Sequence, residues 1–343
     1  MNRRILALGS SICMTAAVLV ASQAATAPLA EASSASPFST SYYVTTSNTT
    51  AGRSWAYNQG YALGRVAYST AGTQWFTVIL DFASMKLVGQ TWMVTEWDYP
   101  DISLADAGEL VYQFGLGFYF GAGIDHSSVV NVGLGTNSSG TTNAAGGKAL
   151  AAQALSTGKR FASLTYRQVN VVGAMDFEND PRWASYGSDK DWFTGYMGVT
   201  GRPVLFNYGS ANGCPQNAPN PNVTPAKTIT CAAGFTVDNV WTLSWSAGAF
   251  PVPEIYATSG ANAVQWKWLT DYSARVHGSY FTFRGILTQM VACQQKRNCA
   301  AGTKYATDNI PAAGRQQLLN QLNAAPKAGG GIEDQPTDIQ WEK

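Results

Sequence analysis

The segment from Val169 to Glu178 constrains the fold of this chain more than any other. It is a run of apolar and small residues that ends in two carboxylates two positions apart, Asp176 and Glu178. Residues i and i+2 of a strand project from the same face, so the two carboxylates are expected together, about 7 Å apart along the backbone. Both faces stay apolar until the last residues, which is typical of a strand buried on both sides in a parallel sheet.

Strand-like segments alternate with helical patterns along most of the chain. We predict strands at 76–82, 129–134, 169–178, 203–208, 240–245, 254–257 and 280–287, with an eighth at 42–46 or 91–95. Among the helices between them, one is expected to start at Ser103. This alternation favours a parallel sheet with helices outside it. We therefore predict a single-domain α/β fold, a (β/α)8-type barrel that is complete or slightly irregular; a doubly wound open sheet is the alternative.

Both ends of the chain are expected to lie outside the barrel. Arg3 and Arg4 precede an apolar stretch from Ile5 to Val20 and an Ala-rich segment, which is the pattern of a secretory signal peptide. We predict a signal peptide over 1–32, an extended lead-in over 33–50, the barrel domain over 51–325 and a flexible tail over 326–343. No later stretch has the roughly 20 apolar residues needed to cross a bilayer. The sequence thus predicts a secreted, extracellular protein with no membrane partner.

The cysteines and the charge balance limit the cofactors and partners. Of the five cysteines, Cys13 lies in the predicted signal peptide and four remain. An even number in an exported chain indicates disulfides, and we predict the pairs Cys214–Cys231 and Cys293–Cys299 because each lies within one irregular segment. Metal ligation is the alternative, but the chain has only two histidines and no C-x-x-C, so no metal and no cofactor is predicted. With 13% charged residues and a net charge of +1, there is no electrostatic footprint for nucleic acid. A monomer is expected.

The carboxylates that end strands are the best candidates for chemistry. Charges at the carboxyl end of a barrel strand lie where this fold carries its active site. Asp176 and Glu178 are interpreted as an acid/base pair in which the more enclosed carboxyl keeps its proton; alternatively, they are surface carboxylates that cap the following turn. Asp81 ends another buried strand and is the third catalytic candidate, unless it only caps its own loop. Lesser candidates are Glu96, Asp98, Asp125 and Glu254.

Aromatic residues near strand ends in the second half of the chain give a second signal. Sugar rings present C–H faces that stack on aromatic rings, so such residues beside carboxylates suit a polysaccharide. The candidate substrate-binding residues are Asn207, Tyr208, Trp241, Trp245, Tyr256 and Trp266. The alternative is that most of them fill the core, since the chain has 11 Trp and 16 Tyr.

The order of these motifs resembles that of the glycoside hydrolase family 25 barrels, lysozymes that cut cell-wall glycan. The similar features are Asp81 at the end of a first strand, the D-x-E of Asp176 and Glu178, a strand ending in Tyr208, the Trp241 to Trp245 spacing and a short strand after Pro253. The resemblance implies Glu178 as general acid, Asp176 as the residue that orients an N-acetyl group, and Asp81 as an assistant. The stretch from Ile255 to Trp266 also resembles a family of secreted proteins from actinomycete-type bacteria, which implies no activity.

Two functions follow from these observations. The first is a secreted glycoside hydrolase that acts on a cell-wall or related polysaccharide such as peptidoglycan by carboxylate acid/base chemistry. The alternative is a non-catalytic glycan-binding barrel of the cell envelope. The 84–102 loop, the Cys214–Cys231 insertion and the added terminal helix depart from the lysozyme pattern.

Overall fold

A ring of eight parallel strand segments forms the centre of the molecule. The computed structural model describes residues 37–95, 100–180, 182–216, 228–296, 307–324 and 329–342. The barrel strands, in chain order, are β1 (Ser39–Tyr43), β2 (Trp75–Val88), β3 (Val129–Asn137), β4 (Val169–Asp176), β5 (Leu205–Asn207), β6 (Ala249–Pro251), β7 (Leu287–Thr288) and β8 (Thr337–Trp341).

Each strand pairs in parallel with its neighbours in the sequence, and the ring is closed. The last strand lies beside the first, with Thr337 opposite Ser39, and also beside β7. The seam between β6 and β7 is closed just beyond β6 by a parallel bridge between Glu254 and Leu287. There the N–H of Leu287 donates to the carbonyl of Pro253 at 2.9 Å. The predicted (β/α) barrel is therefore confirmed.

Helices connect the strands on the outside of the ring. Parallel neighbours cannot be joined by a tight turn, and a helix is the usual crossover between them. They are α1 (Thr50–Ser69), α2 (Leu104–Ala122), α3 (Ala144–Lys159), α4 (Tyr186–Met197), α5 (Val237–Trp245), α6 (Ala261–His277), α7 (Met290–Lys296) and α8 (Pro311–Asn323). The predicted start of α2 is confirmed, because the Ser103 side chain accepts the N–H of Asp106 as an N-cap. Before α2, residues 84–95 form a hairpin in which Thr91–Thr95 runs antiparallel to the end of β2.

Period-two alternation divides the strand side chains between two cores. On β4, Val172 and Ala174 face the barrel interior, whereas Val171 and Met175 pack against the helices. Asp176 continues the inward-facing series. The predicted burial of this strand on both faces is therefore confirmed, and Asp176 points toward the lumen at the carboxyl end of the barrel.

The segment 240–245 was predicted as a strand, and this prediction is wrong. It lies in α5, which begins with a capping box in which Thr236 and Asn239 exchange side-chain and backbone hydrogen bonds. The buried residues Val237, Val240 and Leu243 recur at helical spacing. The β-branched and aromatic residues of the segment favoured the strand prediction, but tertiary packing decides the outcome.

The eighth strand and the chain ends also differ from expectation. Residues 39–43 of the predicted lead-in form β1, so the barrel begins before residue 51, and 91–95 is a hairpin strand outside the ring. The prediction of a flexible tail is wrong for Thr337–Trp341, which is β8 and is held between β1 and β7. Its partner β1 lies about three hundred residues away in the chain and its partner β7 about fifty, so no local pattern signals it. The signal peptide predicted over 1–32 and the part of the tail at 326–328 lie outside the described residues.

One predicted disulfide is confirmed between Cys214 and Cys231, with an S–S distance of 2.04 Å. Cys293 is also disulfide-bonded, but its predicted partner Cys299 lies outside the described residues. Within those residues, no helix has both the length and the apolar character needed to span a membrane.

Candidate active site

A cavity of about 570 Å³ opens at the carboxyl end of the barrel. Its walls come from the ends of six strands or from the loops that follow them, which is where this fold places its active sites. The lining residues are Tyr43, Asn137, Asp176, Glu178, Arg182, Trp183, Glu254, Tyr256, Gln289 and Trp341.

Asp176, the last residue of β4, is enclosed at the cavity wall. Its side chain is 9% exposed, and its Oδ1 has no hydrogen-bond partner among the described residues. Burial raises the pKa of this carboxyl well above its ordinary value, and the negative charges of Glu178 and Glu254 raise it further. An enclosed carboxyl without donors favours its protonated form.

Glu178 follows Asp176 by two residues and is held by the loop after β5. The hydroxyl of Ser210 donates to its Oε2 at 2.6 Å. Asn179 fixes this loop, because its Oδ1 accepts the N–H of Asn212 at 2.9 Å. Burial raises the pKa of Glu178 and the Asp180 charge adds to this, while the Ser210 hydrogen bond and the Arg182 charge lower it. Glu178 thus has a hydrogen-bond donor, Ser210, that favours its ionised form.

Glu254 is the third carboxylate of the cavity, although it is only a lesser candidate in the sequence. It closes the seam beyond β6 and is 8% exposed. Burial raises its pKa well above the ordinary value, the Glu178 charge adds to this, and a hydrogen bond with Tyr256 opposes it. The predicted strand 254–257 placed Glu254 at an amino end. The true strand ends at Pro251, so Glu254 lies at the carboxyl end with the other acids.

The three carboxylates form one cluster. Each of Asp176, Glu178 and Glu254 offers an oxygen, and these oxygens all lie within 4.8 Å of one another. Like charges this close cannot all ionise at neutral pH, so the cluster holds at least one proton beside an ionised carboxylate. This is the combination that general acid and nucleophilic catalysis require. Oxygen donors at this spacing also suit a hard cation.

Asp81 lies at the same end of the barrel but one layer deeper. It stands in register with Tyr43 of β1 and Gly135 of β3, is fully buried and does not line the cavity. Its Oδ1 accepts the N–H of Ala83 at 2.8 Å, where φ is +56° and the register of β2 shifts. Asp81 therefore fixes the bulge at which β2 leaves the barrel for the hairpin.

Two polar neighbours complete the surroundings of Asp81. With its amide nitrogen turned toward the carboxylate, Asn137 donates to both oxygens, at 3.0 and 3.1 Å. Tyr208 also hydrogen-bonds to this carboxylate. Burial nevertheless raises the pKa of Asp81 to about 7. Its charge reaches Asp176, so Asp81 influences the cluster electrostatically.

A further buried acid, Asp189, was not singled out from the sequence. It lies in the first turn of α4, is fully buried, and neither of its carboxylate oxygens has a hydrogen-bond partner among the described residues. Burial, together with the charge of Glu178, raises its pKa to about 8. An acid at the start of a surface helix is usually solvated, which is why the pattern gave no signal.

Of the predicted substrate-binding residues, the structure places Tyr256 at the cavity. Asn207 and Tyr208 lie beneath it and are buried. The amide of Asn207 donates to the hydroxyl of Ser244 at 2.8 Å, and the hydroxyl of Tyr208 donates to the carbonyl of Thr136 at 3.1 Å. Both residues support the strand ends and do not line the cavity.

The three predicted tryptophans lie outside the cavity lining. Trp241 and Trp245 belong to α5, and their indole nitrogens donate to Ser273 and Ser279, at 3.0 and 2.9 Å. Trp266 of α6 is fully buried and packs edge-on against Phe283. Trp241 and Trp245 were expected at the cavity because the segment 240–245 was wrongly assigned to a strand. The aromatic walls come instead from Tyr43, Trp183, Tyr256 and Trp341.

Comparisons with known proteins add little to this description. A solved structure of an endo-1,4-beta-mannanase from Rhizomucor miehei is similar with a TM-score of 0.38 and 10% sequence identity, covering 89% of this chain and 85% of that chain. No protein-family model matches the chain, and no curated protein sequence matches it. The fold and the site together define a (β/α) barrel with a carboxylate cluster at its mouth.

Proposed function

We propose that this protein is a secreted glycoside hydrolase that acts on a cell-wall or related polysaccharide. The observation that carries the proposal is the cluster of Asp176, Glu178 and Glu254, whose oxygens lie within 4.8 Å of one another in an aromatic-walled cavity. Glycoside hydrolysis needs a protonated carboxyl and an ionised carboxylate on either side of the scissile bond. The disulfide and the predicted signal peptide support export.

The surroundings of the two glutamates distinguish their roles. Glu178 receives the Ser210 hydrogen bond and has Arg182 nearby, so it is the carboxylate that attacks the sugar carbon. Glu254 is more enclosed and keeps the proton that it donates to the leaving oxygen. This reverses the role of Glu178 implied by the family 25 resemblance. Asp176 orients the substituent on the neighbouring sugar carbon.

The short separation of the acids favours the retaining route. Inverting enzymes keep their carboxyls about 6.5–9.5 Å apart so that water fits between them, whereas retaining enzymes use about 5–5.5 Å. One oxygen from each acid lies within 4.8 Å of the others, which is closer to the retaining than to the inverting spacing. Glu178 therefore forms a glycosyl ester, which water then hydrolyses with Glu254 as the base.

The test is the release of reducing ends from purified bacterial cell-wall polysaccharide. We expect release by the wild type and losses of about 10²–10⁴-fold in Glu178→Gln and Glu254→Gln. Glu109→Gln is the matched control, because Glu109 pairs with Arg160 on the outer helices. Glycan binding without release by the wild type overturns the proposal in favour of a non-catalytic glycan-binding barrel.

A further inference from the structure

The charge that lines the cavity is strongly one-sided. Three carboxylates face it, and among the described lining residues Arg182 is the one cation. Its guanidinium is already bonded to Asp180, with N···O distances of 2.9 and 3.1 Å. Lys296 lies over the ring of Trp341, 4.5 Å from its centroid, and lines a smaller adjoining pocket. A ligand that enters therefore meets negative charge that the lining residues do not balance.

Further acids lie behind the lining. Asp81 and Asp189 are fully buried, and burial raises their pKa values to about 7 and about 8, so near pH 6 the negative charge at the cavity comes from its own three carboxylates. A neutral ligand would displace water from these carboxylates without supplying a compensating charge, which is costly in a low-dielectric site. A cationic ligand removes that cost, because it replaces the lost hydration with an ion pair.

Asp176 supplies the independent observation that points to a ligand with donors. It lines the cavity, is nine-tenths buried, and its Oδ1 lacks a hydrogen-bond partner among the described residues. Buried polar atoms without partners are rare in native proteins, and each requires an explanation. The Oδ1 of Asp176 lies against the Gly209 backbone, so a cationic group at the cavity face of this side chain supplies the counter-charge that the described residues do not.

The spacing of the cluster fits an ammonium group. An ammonium whose N–H···O distances are about 2.8 Å places its acceptors about 4.6 Å apart in tetrahedral geometry. The oxygens of Asp176, Glu178 and Glu254 lie within 4.8 Å of one another. The cavity also has aromatic walls and a volume of about 570 Å³, which suit sugar rings and which a bare metal ion does not need.

We propose that the natural substrate is a cationic glycan whose amino sugars carry free amino groups, and that Asp176 binds the ammonium next to the scissile bond. This inference rests on the proposed glycoside hydrolase function and names its substrate class. It replaces the N-acetyl group implied by the family 25 resemblance with a charged amine. Neighbouring oxygens of the cluster act as further acceptors.

The experiment compares the glucosamine tetramer with its fully N-acetylated counterpart. Binding to the wild type is measured by calorimetry at pH 6, where a sugar amine is charged, and each sample is then analysed for products. We expect the glucosamine tetramer to bind at least tenfold more tightly. Asp176→Asn should reduce this preference to about twofold with little change in binding of the acetylated tetramer, while Glu109→Gln retains it.

The outcomes separate this inference from the proposed function. Equal binding of the two tetramers, or preference for the acetylated one, overturns the inference, and cleavage of the acetylated tetramer then leaves the hydrolase function intact. Tight binding of the glucosamine tetramer without cleavage supports the inference and counts against the hydrolase. Calcium ions alone are titrated in parallel. Submillimolar calcium binding that Asp176→Asn abolishes and that displaces the tetramer would assign the cluster to a metal and overturn the inference.

Discussion

Ser210 and Glu178 come from the loops that follow two adjacent barrel strands, and a hydrogen bond of 2.6 Å joins them. The hydroxyl of Ser210 donates to a carboxylate oxygen, so the bond stabilises the ionised form of Glu178. Through this bond, a side chain of the loop after β5 contacts a carboxylate of the cavity. This contact makes Ser210 a positioning residue for the proposed nucleophile.

Ser210→Ala should therefore move the pH profile of hydrolysis. Loss of the donor raises the pKa of Glu178, so a higher pH is needed to ionise it. We expect the acidic limb of the kcat/KM profile to shift upward by about one pH unit, since a hydrogen bond to a charged group is worth about 1.5–3 kcal/mol.

The control for this change is Ser69→Ala, at the exposed end of α1, which should leave the profile in place. The direction of the shift also tests the assignment of roles. If the alkaline limb moves and the acidic limb does not, Glu178 is the proton donor and Glu254 the nucleophile.

Gly209 allows the loop after β5 to approach the site closely. A Cβ at this position would lie 2.3 Å from the carbonyl oxygen of Phe177 and 2.8 Å from Oδ1 of Asp176. Since neither the backbone nor the enclosed carboxylate can move freely, Gly209→Ala should displace the segment that carries Asp176 and Glu178. We expect at least a tenfold loss of kcat/KM and a loss of stability of about 1–3 kcal/mol.

Gly140→Ala is the matched control, because a Cβ there meets nothing within 4 Å. It lies in the loop after β3 and should retain both activity and stability. Activity and urea midpoints are measured on both variants. Wild-type values for Gly209→Ala would show that the two loops are not in close contact in solution.

The sequence predicted the site best where the chemistry lies on a single strand. On β4, the apolar residues on both faces predicted a buried parallel strand with Asp176 and Glu178 together at its carboxyl end, and both residues line the cavity there. Asp81 was located at the correct end of the barrel. Its depth could not be predicted, because the layer it occupies depends on the register of β2 against β1 and β3.

Glu254 and Trp341 show where local patterns fail. Glu254 follows a three-residue strand and joins its neighbour by a single bridge, so its segment has too few residues to show a period. Trp341 belongs to a strand that exists only because β1 and β7 flank it. Both residues reach the cavity through pairing between distant parts of the chain, and pairing of that kind leaves no periodic signal in one sequence.

The Cys214–Cys231 disulfide should contribute substantially to stability. It closes a loop with a sequence separation of 17 residues, for which the loss of chain entropy in the unfolded state corresponds to about 3 kcal/mol. The segment also contacts α6, since the Gln265 amide donates to the carbonyl of Cys214 at 3.0 Å. We expect the double variant with Cys214→Ser and Cys231→Ser to unfold at a lower urea concentration. Its free energy of unfolding should fall by about 2–4 kcal/mol.

The double variant leaves Cys293 unchanged, so its effect reports on this disulfide alone. Ser69→Ala again serves as the control for a change at a distant, exposed position. A loss of less than about 0.5 kcal/mol would mean that the hydrogen bonds of the segment hold it without the covalent bond.

The buried acids should make the protein less stable as the pH rises from about 5 to 8. Burial raises the pKa of Asp189 to about 8 and that of Asp81 to about 7, whereas an unfolded Asp titrates at about 3.9. Between these values the unfolded chain has released the proton and the folded chain still binds it. The unfolded state therefore binds fewer protons, and the free energy of unfolding falls with increasing pH.

Asp189→Asn should flatten this dependence, because the amide does not titrate. The free energy of unfolding is measured by urea at pH 5 and at pH 8. We expect the decrease between the two pH values to be smaller in the variant than in the wild type, by about 2 kcal/mol. The slope is the readout, so a uniform change in stability caused by the amide itself does not obscure it. Asp271→Asn, in the Lys267 ion pair of α6, is the matched control and should keep the wild-type slope. An unchanged slope in Asp189→Asn would show that this carboxyl is ionised and has a counter-charge in the folded protein.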